Sequence, residues 1–392
     1  MNVPLFKTVA GNAYPCVSMG KNDVQYCIHN CTVEEVKEYA KQLESLGYEK
    51  YANRSILVQK TFPQKENLFY TFVNQESNIF ISWFCETHIV RIIATSKSQL
   101  PITTKPILTK SDTQPITITQ TDCNGMGYVI QLPDQSFIVI DGGRRNEQDV
   151  EKLYNTLKSK SKNPIISLWL FTHADCDHIE VATDFIIKYA KEVEIKGFAY
   201  NFPSLDKLQV VVDTARDIQN INALEKAIQN NYPNSCVYTL RTGQSYYFKG
   251  VEIEILWTAD NTYPNVYVSC NDLTAMFRFK FDGGKTFIVL GDPVHQYSKQ
   301  VAFIYGNYLK SDIMQVAHHG LIGGDKLLYQ YIDADICLWP VKKERFFGTQ
   351  PNQKYQWCLG EGGCDYNSYL RNDDIKKRTH YHGSEQVTLL VK

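Results

Sequence analysis

From about residue 115 onward, short apolar runs recur between helical patterns and polar turns: YVIQL, SFIVID, ISLWLF, VEIEILW, KTFIVLG, IMQVA and ADICLWPV. A half-exposed strand alternates apolar with polar residues. The continuous run ISLWLF does not, so it reads as a strand buried on both faces. Burial on both faces demands cover on both faces, and helical patterns near 147–160, 179–191 and 213–231 supply it. In the first of these, Val150, Leu153, Tyr154 and Leu157 share one side. ITIT, TAMFRFKF and the terminal QVTLLV complete the strand set. Strands in two groups with helices between them predict sheets packed together and covered by helices outside.

Residues 22–95 follow a different grammar. VQYCIHN reads as a strand, and Thr32 with Glu35 forms a capping box at the head of a helix whose apolar face is Val36, Tyr39, Ala40 and Leu43. Alternating stretches follow in SILVQKTF, LFYTFV, NIFISWF and HIVRIIAT, predicting one helix over an antiparallel sheet. The polar, proline-containing segment SKSQLPITTKPILTKSDTQP reads as a linker. A chain of 392 residues exceeds what one core usually organises. Two domains are therefore expected: a small α+β module and linker over 1–112, and a larger α/β (α+β) domain over 113–392.

Charge excludes little but ranks the partners. Lys plus Arg is 41 against 42 for Asp plus Glu, a net charge of -1. That balance does not indicate nucleic acid, whose binders carry a basic excess, although nucleic acid is left open as a substrate. The lysine clusters at 158–162, 342–343 and 376–377 read as solvated faces. The 11 cysteines form no CxxC pair, and reduced thiols in a cytoplasmic protein are expected. The first residues lack a secretory pattern, and no run is long and apolar enough for a membrane helix, so no membrane partner is expected.

The densest chemistry lies directly after ISLWLF, in His173-x-Asp175-x-Asp177-His178. Read as extended chain, this segment would point His173, Asp175 and Asp177 the same way, with His178 turning in after them. Two further strand ends carry similar groups: FIVLG ends in Asp292, and IMQVA ends in His318-His319-Gly320. One Asp-His pair in a turn is ordinarily a cap or a surface hydrogen bond. Three strand ends, each finishing in acid or histidine, instead describe a site at the edge of a sheet. A carboxylate such as Asp292 can bridge two cations.

These residues resemble the metallo-β-lactamase superfamily, and within it the branch similar to the ComEC/Rec2-type hydrolase domain, which writes its motif as HxDxDH instead of HxHxDH. Further matches are Asp141-Gly142-Gly143 after the early strand, Asn271 ahead of TAMFRFKF, Gly291-Asp292, and His318-His319-Gly320. TDCNGMGYVI resembles the opening turn of that branch. The resemblance covers about residues 115–392 and implies a four-layer αββα sandwich holding two divalent ions, zinc or manganese. It places one metal near His173 and Asp175 and a second at Asp177 and His178. Asp292 would bridge them, and His318, slightly favoured over His319, would complete the second site. The other histidine would orient substrate, Asp141 would hydrogen-bond a ligand histidine, and Asn271 would support the site from outside. Many members carry one more histidine before the bridging aspartate, whereas this chain has none from 179 to 294. The oxygen-rich set that remains shifts preference toward manganese or magnesium, with zinc retained.

The implied reaction is hydrolysis by a metal-held hydroxide, with Asp177 or Asp175 accepting a proton and His319 in reach of substrate. Three functions are carried forward: a phosphodiesterase or nuclease-like enzyme; a carboxylic ester, lactone or thioester hydrolase on the same site; and a non-catalytic binding protein with a relic site. The expected partner is a small-molecule or phosphodiester substrate, with a homo-oligomer formed through the N-terminal module. Cys176 is read as packing, His295 as a helix-start residue, and His380 and His382 as surface or structural. His29 and His88 belong to the N-terminal module. The long connection 342–370 reads equally as a binding loop, with Phe346, Phe347, Tyr355 and Trp357 stacking on substrate, or as an insertion packed on the domain.

Overall fold

The computed structural model describes residues 4–6, 16–20, 23–59, 63–208, 215–262, 269–321, 323–347 and 365–391. Two stacked sheets form the larger body. The first has eight strands, in the spatial order Cys236–Thr239, Gly197–Tyr200, Ile165–Leu170, Phe137–Asp141, Gly127–Gln131, Thr117–Gln120 and Thr388–Leu390, with Glu194–Ile195 pairing off Ile165–Leu170. The second has seven: Ser245–Phe248, Val251–Trp257, Met276–Phe281, Thr286–Val289, Ile313–Gln315, Ile336–Trp339 and Thr379–His382.

Strand periodicity explains the layering. Ile138, Ile140, Leu168 and Leu170 point inward and meet Ile253, Phe277, Phe279 and Val289 between the sheets. The alternate residues Phe137, Val139, Ile166 and Trp169 point outward, under the helices Glu147–Lys160, Cys176–Tyr189 and Ala215–Asn231. On the far side, Met276, Ile288 and Met314 lie under His295–Tyr305 and Lys326–Ile332. The result is the four-layer αββα sandwich of the metallo-β-lactamase type. Its continuous apolar runs exist because both faces of each central strand are dry.

The N-terminal module is one helix over a six-stranded sheet, as its alternation predicts. Helix Val33–Ser45 starts at the Thr32–Glu35 capping box, with Glu35 N 3.2 Å from Thr32 Oγ1 and Thr32 N 2.7 Å from Glu35 Oε2. Val36, Tyr39, Ala40 and Leu43 are the residues it buries. Residues 97–116 contain neither helix nor strand, and the expected boundary near 112 falls among them. No local pattern shows what covers the other face of this sheet. Ile56, Phe69 and Phe84 join the core beneath His295–Tyr305, and Gly243 backs onto Phe69, which lies 2.1 Å from where a Cβ would stand. Buried polar contacts fix the register, among them Gln25 Nε2 to Asp260 O (2.7 Å) and Arg91 Nη2 to Asn261 O (2.9 Å). Burying such apolar side chains is worth about 1.5–3 kcal/mol each. The ion network of Glu254 with Arg54, Arg278 and Lys280 loses much of its Coulomb gain to desolvation. Apolar burial therefore holds the module down and charge sets its position.

Two local expectations are corrected. The helix placed at 179–191 spans Cys176–Tyr189, so residues 175–178 do not continue the strand. The strand ends at Leu170, and Asp175 turns its carboxylate back onto Cys176 N (2.6 Å) as the helix cap. A capping aspartate satisfies orphan amides of the first turn, and this local gain overrides the extended reading. Likewise the strand leading to the paired histidines stops at Gln315, and His318 and His319 both take left-handed backbone in the turn that follows. Helix Ala215–Asn231 lies within the range expected for it. Of the 342–370 connection, Phe346 is buried against Trp339 (5.4 Å between rings) and serves the core, Phe347 is exposed, and Tyr355 and Trp357 lie outside the described residues. No helix among the described residues is long and apolar enough to cross a membrane.

Candidate metal centre

Four chain segments meet at one end of the sandwich: the turn after Asp141, the loop and helix start at 172–178, the turn at 291–292 and the turn at 317–320. Thr172 lies at the centre of the first two. Its backbone N and hydroxyl donate to the Asp141 carboxylate at 2.8 and 2.6 Å. Having spent its one proton there, the hydroxyl can only accept from His173 Nδ1, 3.0 Å away. His173 Nε2 is thereby left as a bare lone pair, buried and without a hydrogen-bond partner among the described residues.

The same logic repeats at two further imidazoles. His178 Nδ1 is 2.6 Å from Asp141 Oδ2, and His319 Nδ1 is 2.6 Å from the Pro340 carbonyl. In each ring the outer nitrogen is committed to an acceptor and Nε2 turns inward. His178 Nε2 lies 3.2 Å from Asp292 Oδ2, and His319 Nε2 lies 3.0 Å from the same oxygen and 3.4 Å from Asp177 Oδ2. Outer acceptors that fix the tautomer and aim the other nitrogen are the usual support of metal-ligating histidines. Asp292 Oδ1 is also buried and without a hydrogen-bond partner among the described residues. Orphaned lone pairs of this kind, neutral nitrogen beside carboxylate oxygen, fit divalent cations.

The donor atoms fall into groups whose members lie within 4.8 Å of one another: His173, His178 and Asp292; Asp177, His178 and His319; and Asp175, Cys176 and Asp177. This changes the expected division of ligands. His173 is grouped with His178 and Asp292 instead of with Asp175, because the helix start turns Asp175 away. His319 instead of His318 approaches the carboxylates: His318 Nε2 is 3.9 Å from Asp292 Oδ2, and its side chain is 15% exposed. The backbone decides between the two. Gly320, at φ +75°, packs so closely on Trp339 that a Cβ would come within 2.3 Å of the ring, which fixes the path of the turn.

Three positioning residues escaped the sequence reading. Gln315 Oε1 accepts from Leu290 N and Gly291 N, both at 2.8 Å, and its Nε2 donates to Gly291 O (3.1 Å) and Val316 O (2.7 Å). It joins the strand end carrying Asp292 to the one carrying the histidines. A lone, fully buried glutamine inside IMQVA was the available signal. Thr172 is the second and Thr274, whose hydroxyl accepts from Asp292 N at 3.3 Å, the third. Asp141 is itself strained, with φ +51° in a non-glycine residue. Its carboxylate bonds and the 2.9 Å bond from Trp169 Nε1 to its carbonyl offset that cost. Asn271 lies in the turn Cys270–Leu273, and its buried carboxamide oxygen has no hydrogen-bond partner among the described residues. His295 pairs with Asp325 (3.2 Å), His380 accepts from Trp339 Nε1 (3.0 Å), and His382 faces Glu385 (3.3 Å).

The electrostatics are divided among the rings. Burial, and then neighbouring His178, pull His173 down to about 4, so it is neutral at neutral pH. Burial also acts to lower His178, but Asp292 and Asp141 outweigh it and hold this imidazole well above the ordinary histidine value. His319 is raised for a similar reason, with Asp292 and Asp177 outweighing burial. Burial opposes ionisation of Asp292, yet His319, His178 and His318 bring it well below the usual carboxylate range. A pH prediction follows. Protonated His178 stabilises metal-free protein fully below the unfolded value of about 6.5, and this contribution is lost as pH rises through the raised folded value. Cation binding runs the other way, since Nε2 must shed its proton to ligate. Between about pH 6 and 9 the melting temperature should fall in EDTA and hold or rise with manganese. Parallel profiles under the two conditions would refute this.

No protein-family model matches the chain, and no curated protein sequence matches it. Several solved structures are similar in part. CmlA, a diiron beta-hydroxylase from Streptomyces venezuelae, aligns with a TM-score of 0.42 at 10% identity, over 71% of this chain and 54% of CmlA. This chain thus spans about half of that protein. A HARLDQ-motif mutant metallo-beta-lactamase from Cronobacter sakazakii gives 0.33 at 14% identity, over 69% of this chain and 96% of the other. A diphosphatase of the PhnP family gives 0.34 at 11% identity, over 68% and 84%. At these scores the likenesses assign no activity. The fold reading rests on the chain's own sheet order and layers.

Proposed function

We propose that this chain is a metal-dependent hydrolase of phosphodiesters, akin to the ComEC/Rec2-type hydrolase domain. One observation carries the reading: His173, His178 and His319 each have Nδ1 committed to an outer acceptor, while Nε2 faces buried Asp292 and half-buried Asp177 or has no partner among the described residues. A relic site would be expected to lose such support first. In this reading His173, His178 and Asp292 hold one divalent ion, and Asp177, His319 and Asp292 a second, zinc or manganese. The chemistry such ions supply is Lewis-acid activation of water and of the scissile ester near neutral pH.

The protein's own groups do the rest. Asp177, with 26% of its side chain exposed, is reachable by water and in this reading takes a proton from the attacking water. Asp175 is occupied as a helix cap and supports it. Partly exposed His318 is positioned to orient substrate. The near-neutral net charge favours small phosphodiesters over long nucleic acid. Both faces of the N-terminal sheet are covered, so a homo-oligomer formed through that module would pair edge strands.

The test is metal analysis of protein purified without chelator, followed by bis-p-nitrophenyl phosphate and p-nitrophenyl acetate assays with manganese or zinc. Diester cleavage that stops with EDTA and returns with metal is expected. Acetate cleavage alone would replace the diester reading with a carboxylic ester, lactone or thioester hydrolase. Protein inert to both and free of metal would favour the relic.

A further inference from the structure

We propose that Arg144 seats the negative charge of the substrate at this centre, receiving non-bridging oxygens of a phosphoryl group, with Arg216 adding a second cation beside it. The proposal rests on the phosphodiesterase reading above and names the residue by which such a substrate is chosen.

Arg144 is firmly placed. It follows Asp141-Gly142-Gly143, and its backbone N donates to Asn124 O at 2.7 Å. Gly143 N donates to His178 O (3.2 Å), and Gly143 O accepts from Val181 N (3.0 Å), so this segment is tied to the helix start that carries Asp177 and His178. From there the guanidinium extends over Cys176, Nη2 to Sγ 3.0 Å. That thiol is its only hydrogen-bond partner among the described residues. A thiol is a weak acceptor, so this contact leaves the guanidinium weakly engaged. The adjacent Arg145 is by contrast fully engaged, with Nε on Asp184 at 2.8 Å and its backbone N on Glu180 at 3.0 Å.

Arg144 is exposed, and its contact with Cys176, which stands between Asp175 and Asp177, brings it beside the candidate metal centre. Arg216, 53% exposed, reaches in from the next helix and holds Glu180 at 3.0 Å. Glu180 accepts from the backbone N of Arg145 with its other oxygen, so Arg216 is joined to the segment that carries Arg144. Asp175 and Asp177 also act on Arg144. Once cations neutralise those carboxylates, the positive charge at the mouth is left for substrate. A planar guanidinium fork matches two phosphoryl oxygens, which a lysine ammonium does not.

The experiment compares wild type with Arg144→Ala, Arg144→Lys and Arg216→Ala. It measures metal content, the affinity of inorganic phosphate for the manganese-loaded protein by titration calorimetry, and kcat/KM on the diester and the acetate. Arg144→Ala should weaken phosphate binding about 10–100-fold and lower the diester-to-acetate preference by a similar factor, with metal content retained. Arg144→Lys should recover only part of the loss, and Arg216→Ala should show a smaller effect of the same sign. Unchanged phosphate affinity overturns the proposal. So does loss of metal with both substrates impaired equally, because Arg144 would then be a counter-ion of the acidic pair. If wild type cleaves only acetate, the phosphodiester reading fails, and the calorimetry still decides: phosphate held through Arg144 keeps the anion site, and no phosphate binding ends it.

Discussion

Asp292→Ala should lower kcat/KM on a diester substrate by at least about 10³-fold, about 4 kcal/mol of transition-state stabilisation, and should leave the protein unable to retain its second metal equivalent. The size follows from how many groups meet at one carboxylate. Oδ2 lies 3.0 Å from His319 Nε2 and 3.2 Å from His178 Nε2, and Oδ1 is buried without a hydrogen-bond partner among the described residues. Alanine removes the one anion proposed to serve both ions and leaves the raised imidazoles of His178 and His319 without their largest favourable charge. Asp292→Asn separates charge from shape. It keeps the volume but offers an acceptor and a donor where two acceptors are needed, and it should lose nearly as much activity with less change in stability. Metal analysis, circular dichroism and kinetics on both variants test this. Full metal content with activity near wild type in either would end the dinuclear reading.

The largest expected effect on stability comes from a glycine outside the ligand set. Gly125 has φ +119°, and a Cβ there would stand 2.1 Å from Asp177 O and 2.8 Å from Asp177 Cβ. The neighbouring Met126 N donates to that same carbonyl at 3.0 Å, so the turn 121–127 lies directly on the residue that faces the metal centre. Neither side can yield cheaply, since Asp177 sits in the first turn of a buried helix. Gly125→Ala should cost about 2–4 kcal/mol, combining left-handed backbone strain with overpacking, and should weaken metal binding. Gly47→Ala is the matched control: φ is +87°, yet nothing lies within 4 Å of its Cβ position. It should cost only about 1 kcal/mol through backbone conformation alone. Urea unfolding of both variants measures the difference. Equal losses would show that the turn does not press on Asp177.

Much of the layering was written in local patterns. The helix Glu147–Lys160 lies where its spacing put it, and the Thr32 capping box opens the N-terminal helix with the buried face read from Val36, Tyr39, Ala40 and Leu43. Such features survive because a helix cap and an amphipathic face are properties of adjacent residues, felt whatever packs on them. Continuous apolar strands announced burial on both faces for the same reason. The capping role of Asp175 was also visible in principle, as an aspartate ahead of an apolar helical stretch, but the alternation of His173, Asp175 and Asp177 suggested a strand in its place.

By itself, then, the sequence determined which elements form, that the central strands are dry on both sides, and which histidines and acids stand at their ends. Tertiary structure decided how those ends are used. That His319 comes nearer to Asp292 than His318 does depends on a turn held by Gly320 against Trp339, and the alignment of Asp292 with that turn depends on Gln315 reaching across to Leu290 and Gly291. The docking of the N-terminal sheet through Ile56, Phe69 and Phe84 depends on a core built from residues that begin only at Leu256. Hydrophobic period reports which face of an element is buried, and that is fixed within a few residues. Which partner does the burying, and to what tenth of an ångström a ligand atom is aimed, is set by contacts between distant segments that no local pattern encodes.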